Sequence, residues 1–281
     1  MTYTPRELQV FDKLKRWEQS LYTYETNDLQ AIYDKYMEEM FNLLAEDTRT
    51  KFFTAIDSSL FHLHSLVQGS FVQADAKERI LTAARVFHRD IISIKDIRKL
   101  SLDQIHFIVE KQTVRHRFYA FVQGGLAGTG DTFLLGSDLA AQLVINLRAS
   151  QLIAMCYGYE VNNPFEMMAS LKVFHGATLP VRMQAHIWEE LLADVQNVEN
   201  VFFYQGNEDL VGTQSLEQPI KQLLKGLVIL LVRKKKFKGV PFLSMAIGAG
   251  GNYRLTKKVT DFSEKYYQMR YFLSKSEEEN Q

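Results

Sequence analysis

The chain has 281 residues, 46% of them apolar and 23% charged, with 33 basic and 33 acidic side chains balancing to zero formal charge. That composition suits a folded protein of one large domain or two modest ones. It excludes a global field steering the chain to nucleic acid or membrane, so an electrostatic partner must be met by a local patch. The single cysteine, Cys156, excludes an internal disulfide and any multi-cysteine metal site, and its apolar and aromatic neighbours mark a packing thiol.

The N-terminus, MTYTPRELQVFDKLKRWEQS, is charged from Arg6 onward and lacks the apolar core of a signal peptide, so a cytoplasmic location is expected. Apolar residues at helical spacing, Leu8, Phe11, Leu14 and then Leu29, Ile32, Tyr33, Tyr36, Met40, Leu43, Leu44, predict amphipathic helices. IDSSLFHLHSLVQGSF and DAKERILTAARVFHRDII continue the pattern, with Asp75 placed to cap the second. His62 and His64 point ~200° apart on a helix, which argues against chelation by that pair. SIKDIRKLSLDQIHFIVEK reads as two short helical pieces, the second capped by Ser101 and Asp103. The RHR at 115–117 reads as a basic surface or a phosphate-facing patch.

The next stretch, FVQGGLAGTGDTFLLGSDLAAQLVINLRASQLIAMCYGYE, opens with Gly124, Gly125, Gly128 and Gly130. It lacks the lysine and hydroxyl of a GxxxxGK[ST] phosphate loop and does not fit GxGxxG. As a transmembrane span it would carry Asp138 and Arg148 near its middle, each costing about 2.5–3.5 kcal/mol. The preferred reading is a glycine-rich turn followed by a central helix of about twenty residues. That helix is expected to be capped by Ser137 or Asp138. Asp138, Gln142, Asn146 and Ser150 then form one stripe of short polar groups, either a buried seam or the wall of a wet cavity.

NVENVFFYQG is the one segment with strand character. Pro164, Pro180, Pro219 and Pro241 each sit near a plausible helix start or stop. The glycine clusters at 124–136 and 248–251 invite packing against each other, and the polar tail SKSEEENQ is expected to fray. The expected fold is all-α, a helical bundle with glycine-rich turns and at most minor β. An N-terminal helical region over 1–90, a helical core over 91–275 and a tail over 276–281 form one continuous unit.

KGLVILLVRKKKFKGVPFLSMAIGAGG joins two apolar runs, each too short to span a bilayer, through Arg233, Lys234, Lys235, Lys236 and Lys238. Either two core helices meet at a solvated basic turn, or both runs dip toward an anionic leaflet with Phe237 as anchor and about 1 kcal/mol from each cation. Nucleic acid is not indicated, because no stacking platform or recognition motif accompanies the cluster.

The chain resembles the EcsC family of bacterial proteins. The resemblance is carried by the glycine-rich segment, its long helix and the Tyr-Gly-aromatic-acidic ending, Tyr157 to Glu160. It is carried again by VPFLSMAIGAGGNYRLTKKVTDFSEKYYQMRYFL, which ends in Arg270-aromatic-Leu, and by the early Trp17-Glu18 pair. Asp131 stands where the family tends to carry glycine. The resemblance implies a helical protein named for an operon that also encodes an ABC transporter, with no established activity.

No HExxH, GxSxG or paired-cysteine signature is present, and no metal or cofactor is expected. The expected function is therefore a non-enzymatic accessory or binding role at the inner membrane surface, with an anionic lipid surface or a membrane protein such as an ABC transporter as partner. The alternative is a cytoplasmic hydrolase with Asp131 and Asp138 in its cleft, supported by His116, Asn252 and Arg254.

Overall fold

The computed structural model describes residues 3–24, 71–127, 134–162, 164–179, 181–196 and 241–278. Among these the fold is all-α: α1 (Pro5–Tyr22), α2 (Phe71–Arg85), a 3₁₀ segment (Ile94–Lys99), α3 (Leu102–Ala127), α4 (Leu134–Cys156), α5 (Pro164–Thr178), α6 (Val181–Gln196) and α7 (Pro241–Glu278). The apolar series at 29–44, His62 and His64, Pro219 and the strand expected in NVENVFFYQG lie outside the described residues.

Helix starts follow local chemistry. Thr4 and Glu7 form a reciprocal capping box ahead of Pro5: the Glu7 N–H donates to Thr4 Oγ1 at 3.2 Å, and Glu7 Oε2 accepts from the Thr4 N–H at 2.8 Å. Ser101 caps α3 in the same way, with Gln104 Oε1 accepting from the Ser101 N–H at 2.9 Å. Pro164 and Pro241 open α5 and α7, where a missing N–H costs nothing. Three expectations shift. Asp75 sits inside α2, where it pairs with Arg79 one turn on, rather than capping it. Ser137 and Asp138 lie inside α4, which begins at Leu134, so neither is its cap. The second piece of SIKDIRKLSLDQIHFIVEK is no short helix but the start of 26-residue α3.

The hub of the bundle is α7, which packs on α3 most extensively and also on α4, α5 and α1. The second half of α4 is central too: every residue from Ala149 to Tyr157 is buried, so it has no solvent face. One apolar cluster joins Leu14 and Leu21 of α1 to Ile80 of α2, Ile105 and Ile108 of α3, Ile153 of α4, Val173 of α5, Trp188 of α6 and Val259 of α7. Removing each such side chain from water stabilises the fold by about 1.5–3 kcal/mol. Gly176 marks a close crossing of three helices. A Cβ there would come within 2.9 Å of Phe262 Cζ and 3.0 Å of Ile187 Cγ2, so only glycine lets α5 sit this close to both α6 and α7.

The buried stripe of α1 is rotated from the expected one. Leu8 is exposed, while Glu7, Leu14 and Leu21, spaced seven apart, face inward. A buried glutamate is tolerated because α7 supplies partners: Lys275 Nζ and Tyr271 Oη donate to Glu7 Oε1 at 2.6 and 2.8 Å. The Trp17-Glu18 pair anchors α1 from its other end. Trp188 Nε1 donates to Glu18 Oε1 at 2.7 Å, and the two indoles meet edge-on at 4.8 Å.

Candidate functional site

The Tyr-Gly-Tyr ending of α4 is a Schellman motif. The Gly158 N–H donates to Met155 O and the Tyr159 N–H to Ala154 O, both at 3.0 Å, with Gly158 at φ +83°. The turn delivers Tyr159 to α7, where the Arg270 guanidinium lies 3.7 Å from its ring centroid. Arg270 also makes a bidentate pair with Glu166 of α5, Nη1–Oε2 at 2.8 Å and Nη2–Oε1 at 2.7 Å, with both side chains less than a tenth exposed. Phe165, Tyr266 and Tyr267 complete the surround, and Arg98 of the 3₁₀ segment stacks on Tyr159 at 4.5 Å. Burial pushes the hydroxyls of Tyr157, Tyr159, Tyr266 and Tyr267 up, so all four stay protonated at neutral pH. A buried, charge-paired node of this kind orients helices.

The expected polar stripe lies along one helix, as its spacing requires, for Asp138, Gln142, Asn146 and Ser150 all belong to α4. Asn146 and Ser150 are fully buried. On α7 and α5, buried hydroxyls bond back to their own helices, Thr260 to Thr256 O at 2.9 Å, Ser263 to Val259 O at 2.7 Å and Ser170 to Glu166 O at 2.8 Å. Small polar residues that satisfy themselves locally are what a close helix contact needs. Asn252 is half-buried on α7, and Arg254, two residues on, is exposed, so the two point to different sides of that helix.

Gly124 and Gly125 are part of α3 rather than of a turn, since the helix continues to Ala127. A Cβ on Gly125 would lie 3.8 Å from Ala249 Cβ, so the end of α3 and the second glycine cluster do meet. Asp131, Gly128, Gly130 and the basic patch Arg233, Lys234, Lys235, Lys236, Phe237, Lys238 lie outside the described residues. Cys156 is fully buried, and burial pushes its thiol up, as a packing role requires. Among the described residues no cluster of three His, Cys, Asp or Glu side chains could hold a metal ion.

The RHR triplet divides between two faces of α3. Arg117 turns to α7, where Nη2 donates to Thr260 Oγ1 at 2.7 Å and Asp261 Oδ1 at 2.6 Å. His106 makes a second link to α7, its Nδ1 2.8 Å from Glu264 Oε1, a contact that raises the His106 pKa. His116 turns instead toward Arg79 of α2 and Arg148 of α4, with exposed Arg115 near it. The outer face of α3 is apolar: Phe107, Val114, Phe118, Phe121 and Val122 are exposed by 54, 58, 61, 48 and 41%. They recur at the spacing of a single helical stripe, with exposed Lys111 and Arg115 beside them. Phe87 of the α2–3₁₀ connection extends this surface, meeting Phe107 edge-on at 5.7 Å.

Comparison with known proteins supplies the relationship. The model of the EcsC protein family matches residues 8–272. The chain belongs to the EcsC family. It is similar to the uncharacterized protein YdbA of Bacillus subtilis (strain 168), with 27% identity over 217 residues, 75% of this chain and 76% of the relative. No solved structure matches it.

Within this EcsC protein the two stretches that carry the resemblance converge at Arg270 and Tyr159. Sequence reasoning missed the Glu166–Arg270 pair and the Arg79 contribution beside His116. The first had a signal: Arg270 lies among Tyr266, Tyr267, Met269 and Phe272, all buried, where a lone cation needs a partner. The second had none, because nothing local to Arg79 announces α3.

Proposed function

We propose that this EcsC protein is a non-enzymatic accessory or binding factor that works at an anionic membrane surface. The observation that carries the reading is the outer stripe of α3, with Phe107, Val114, Phe118, Phe121 and Val122 open to solvent beside Lys111 and Arg115. Apolar residues flanked by cations suit the boundary between headgroups and acyl chains. Each phenylalanine taken out of water contributes about 1.5–3 kcal/mol, and each cation near an anionic leaflet about 1 kcal/mol. Among the described residues no helix is long and apolar enough to cross a membrane, so the contact proposed is from one side. The basic residues Arg233 to Lys238 would reinforce it, and a membrane protein such as an ABC transporter would be met in the same plane.

Flotation with vesicles of phosphatidylcholine, with and without phosphatidylglycerol, across a salt series tests this. Binding that needs the anionic lipid, weakens with salt and falls at least tenfold in Phe118→Ser/Phe121→Ser supports it. If the wild type stays with the unbound fraction under every condition, or the double variant floats as well as the wild type, the reading fails.

A further inference from the structure

On the side of α3 opposite Arg117, polar groups gather in the wedge between α2, α3 and α4. Gln112, His116 and Tyr119 fall at i, i+4 and i+7 and so share one face of α3. Gln112 is only 4% exposed, yet its Oε1 has no hydrogen-bond partner. The buried Nδ1 of His116 and the buried Nε of Arg79 on α2 lack partners as well. Three orphaned polar ends on facing helices are costly, at about 1–3 kcal/mol each, unless something fills them.

Charge says what the filler is. Arg79, Arg115 and Arg148 all lie near enough to His116 to act on its proton. Burial first, then these three cations, pushes the His116 pKa down to about 4, so the imidazole is neutral at physiological pH. Asp75, itself mostly exposed, is the carboxylate paired with Arg79. Arg115 Nε donates to Tyr119 Oη at 2.8 Å with the guanidinium 5.5 Å from that ring, a contact that leaves its two terminal nitrogens free of Tyr119. Arg148 already makes an interaction of its own and contributes its field. A neutral imidazole can donate from Nδ1, and an amide can turn either end inward, so each orphaned group can serve as a donor.

We propose that this wedge, where Arg79 and Arg115 flank His116 and Gln112, is a binding site for a phosphoryl-class oxyanion. Guanidinium forks match tetrahedral oxyanions bidentately, and the neutral donors add directional bonds without further like charge. The site does not rest on the membrane reading. Val114 and Phe118 flank Arg115 on the exposed stripe, so the phosphoryl group comes either from a lipid headgroup or from a free phosphate compound.

Titration of the full chain with inorganic phosphate, followed by calorimetry and by the His116 ring resonances in NMR, tests the site. Vesicles of phosphatidylcholine with and without phosphatidic acid form the second arm. The expected result is binding of phosphate, of phosphatidic acid vesicles, or of both. It should move the His116 resonances and weaken at least tenfold in Arg79→Gln and in Arg115→Gln, while Lys258→Gln, at an exposed position on α7, keeps it. Phosphate binding alone assigns a soluble compound, and binding confined to phosphatidic acid vesicles assigns a headgroup. Arg115 is exposed, so its variant guards against misfolding, and thermal melting is measured beside each titration. Failure of both probes to move His116, or equal binding by wild type and both arginine variants, overturns the proposal. Phe118→Ser/Phe121→Ser separates the two readings: a chain that no longer floats but still takes up phosphate retains this site.

Discussion

The Arg270 guanidinium lies 3.7 Å from the ring centroid of Tyr159 while both of its terminal nitrogens hold Glu166, so two helices and the end of a third are tied through one side chain. Tyr159 ends the α4 turn, Glu166 belongs to α5 and Arg270 to α7, and Arg98 of the 3₁₀ segment closes the far side. The pair is buried, so its value lies in specifying which helices meet. A hydrophobic replacement of similar volume would stabilise as much.

Breaking this pair from one side is therefore expected to cost about 3–5 kcal/mol, because a buried charge is left uncompensated. Urea unfolding of Glu166→Gln and Arg270→Met should each show that loss. The double variant Glu166→Leu/Arg270→Met should lose clearly less than the sum. Additive losses would mean the two side chains are not coupled.

Gly158 is the second point of strain control. Its φ of +83° lies in the left-handed region, and an added Cβ would stand 2.6 Å from Arg98 Cγ. Gly158→Ala is expected to lower stability by about 1–2 kcal/mol from the backbone alone, with more from the contact. In an Arg98→Ala background the contact part should disappear and the backbone part persist. Equal losses in both backgrounds would show that Arg98 does not press on this turn.

Acid should weaken the fold in two steps. Burial tends to raise the Glu7 pKa, but Lys275, Thr4 and Tyr271 hold it down at about 2, against 4.5 for a free glutamate. The unfolded chain binds more protons in that interval. The Glu7 contribution is thus complete above pH 4.5 and lost as the pH falls toward 2. For His116, at about 4 against 6.5, the same sign holds: the contribution is complete above pH 6.5 and lost between there and 4. Each is worth roughly 3 kcal/mol. Denaturant melts across pH should show both slopes, with His116→Gln removing the upper one and Glu7→Gln the lower. A wild-type stability that is flat from pH 6.5 to 4 would contradict the His116 assignment.

Sequence by itself determined the helical class, the cap at Ser101, the helix starts at Pro164 and Pro241 and the inert burial of Cys156. These follow from interactions within four residues of chain, where periodicity and hydrogen-bonding side chains act directly. Only the tertiary structure decided that Glu7 faces inward while Leu8 faces out, that Asp75 serves a helix interior, and that Arg117 and His116 part company. It also brought Glu166 to Arg270 across 104 residues. The physical reason is one of range. A local pattern states that a residue is polar and which face of a helix it shares, whereas its burial depends on whether a distant helix arrives with the opposite charge or a matching donor. Lys275 and Tyr271 do so for Glu7, and for the orphaned groups beside His116 no described helix does.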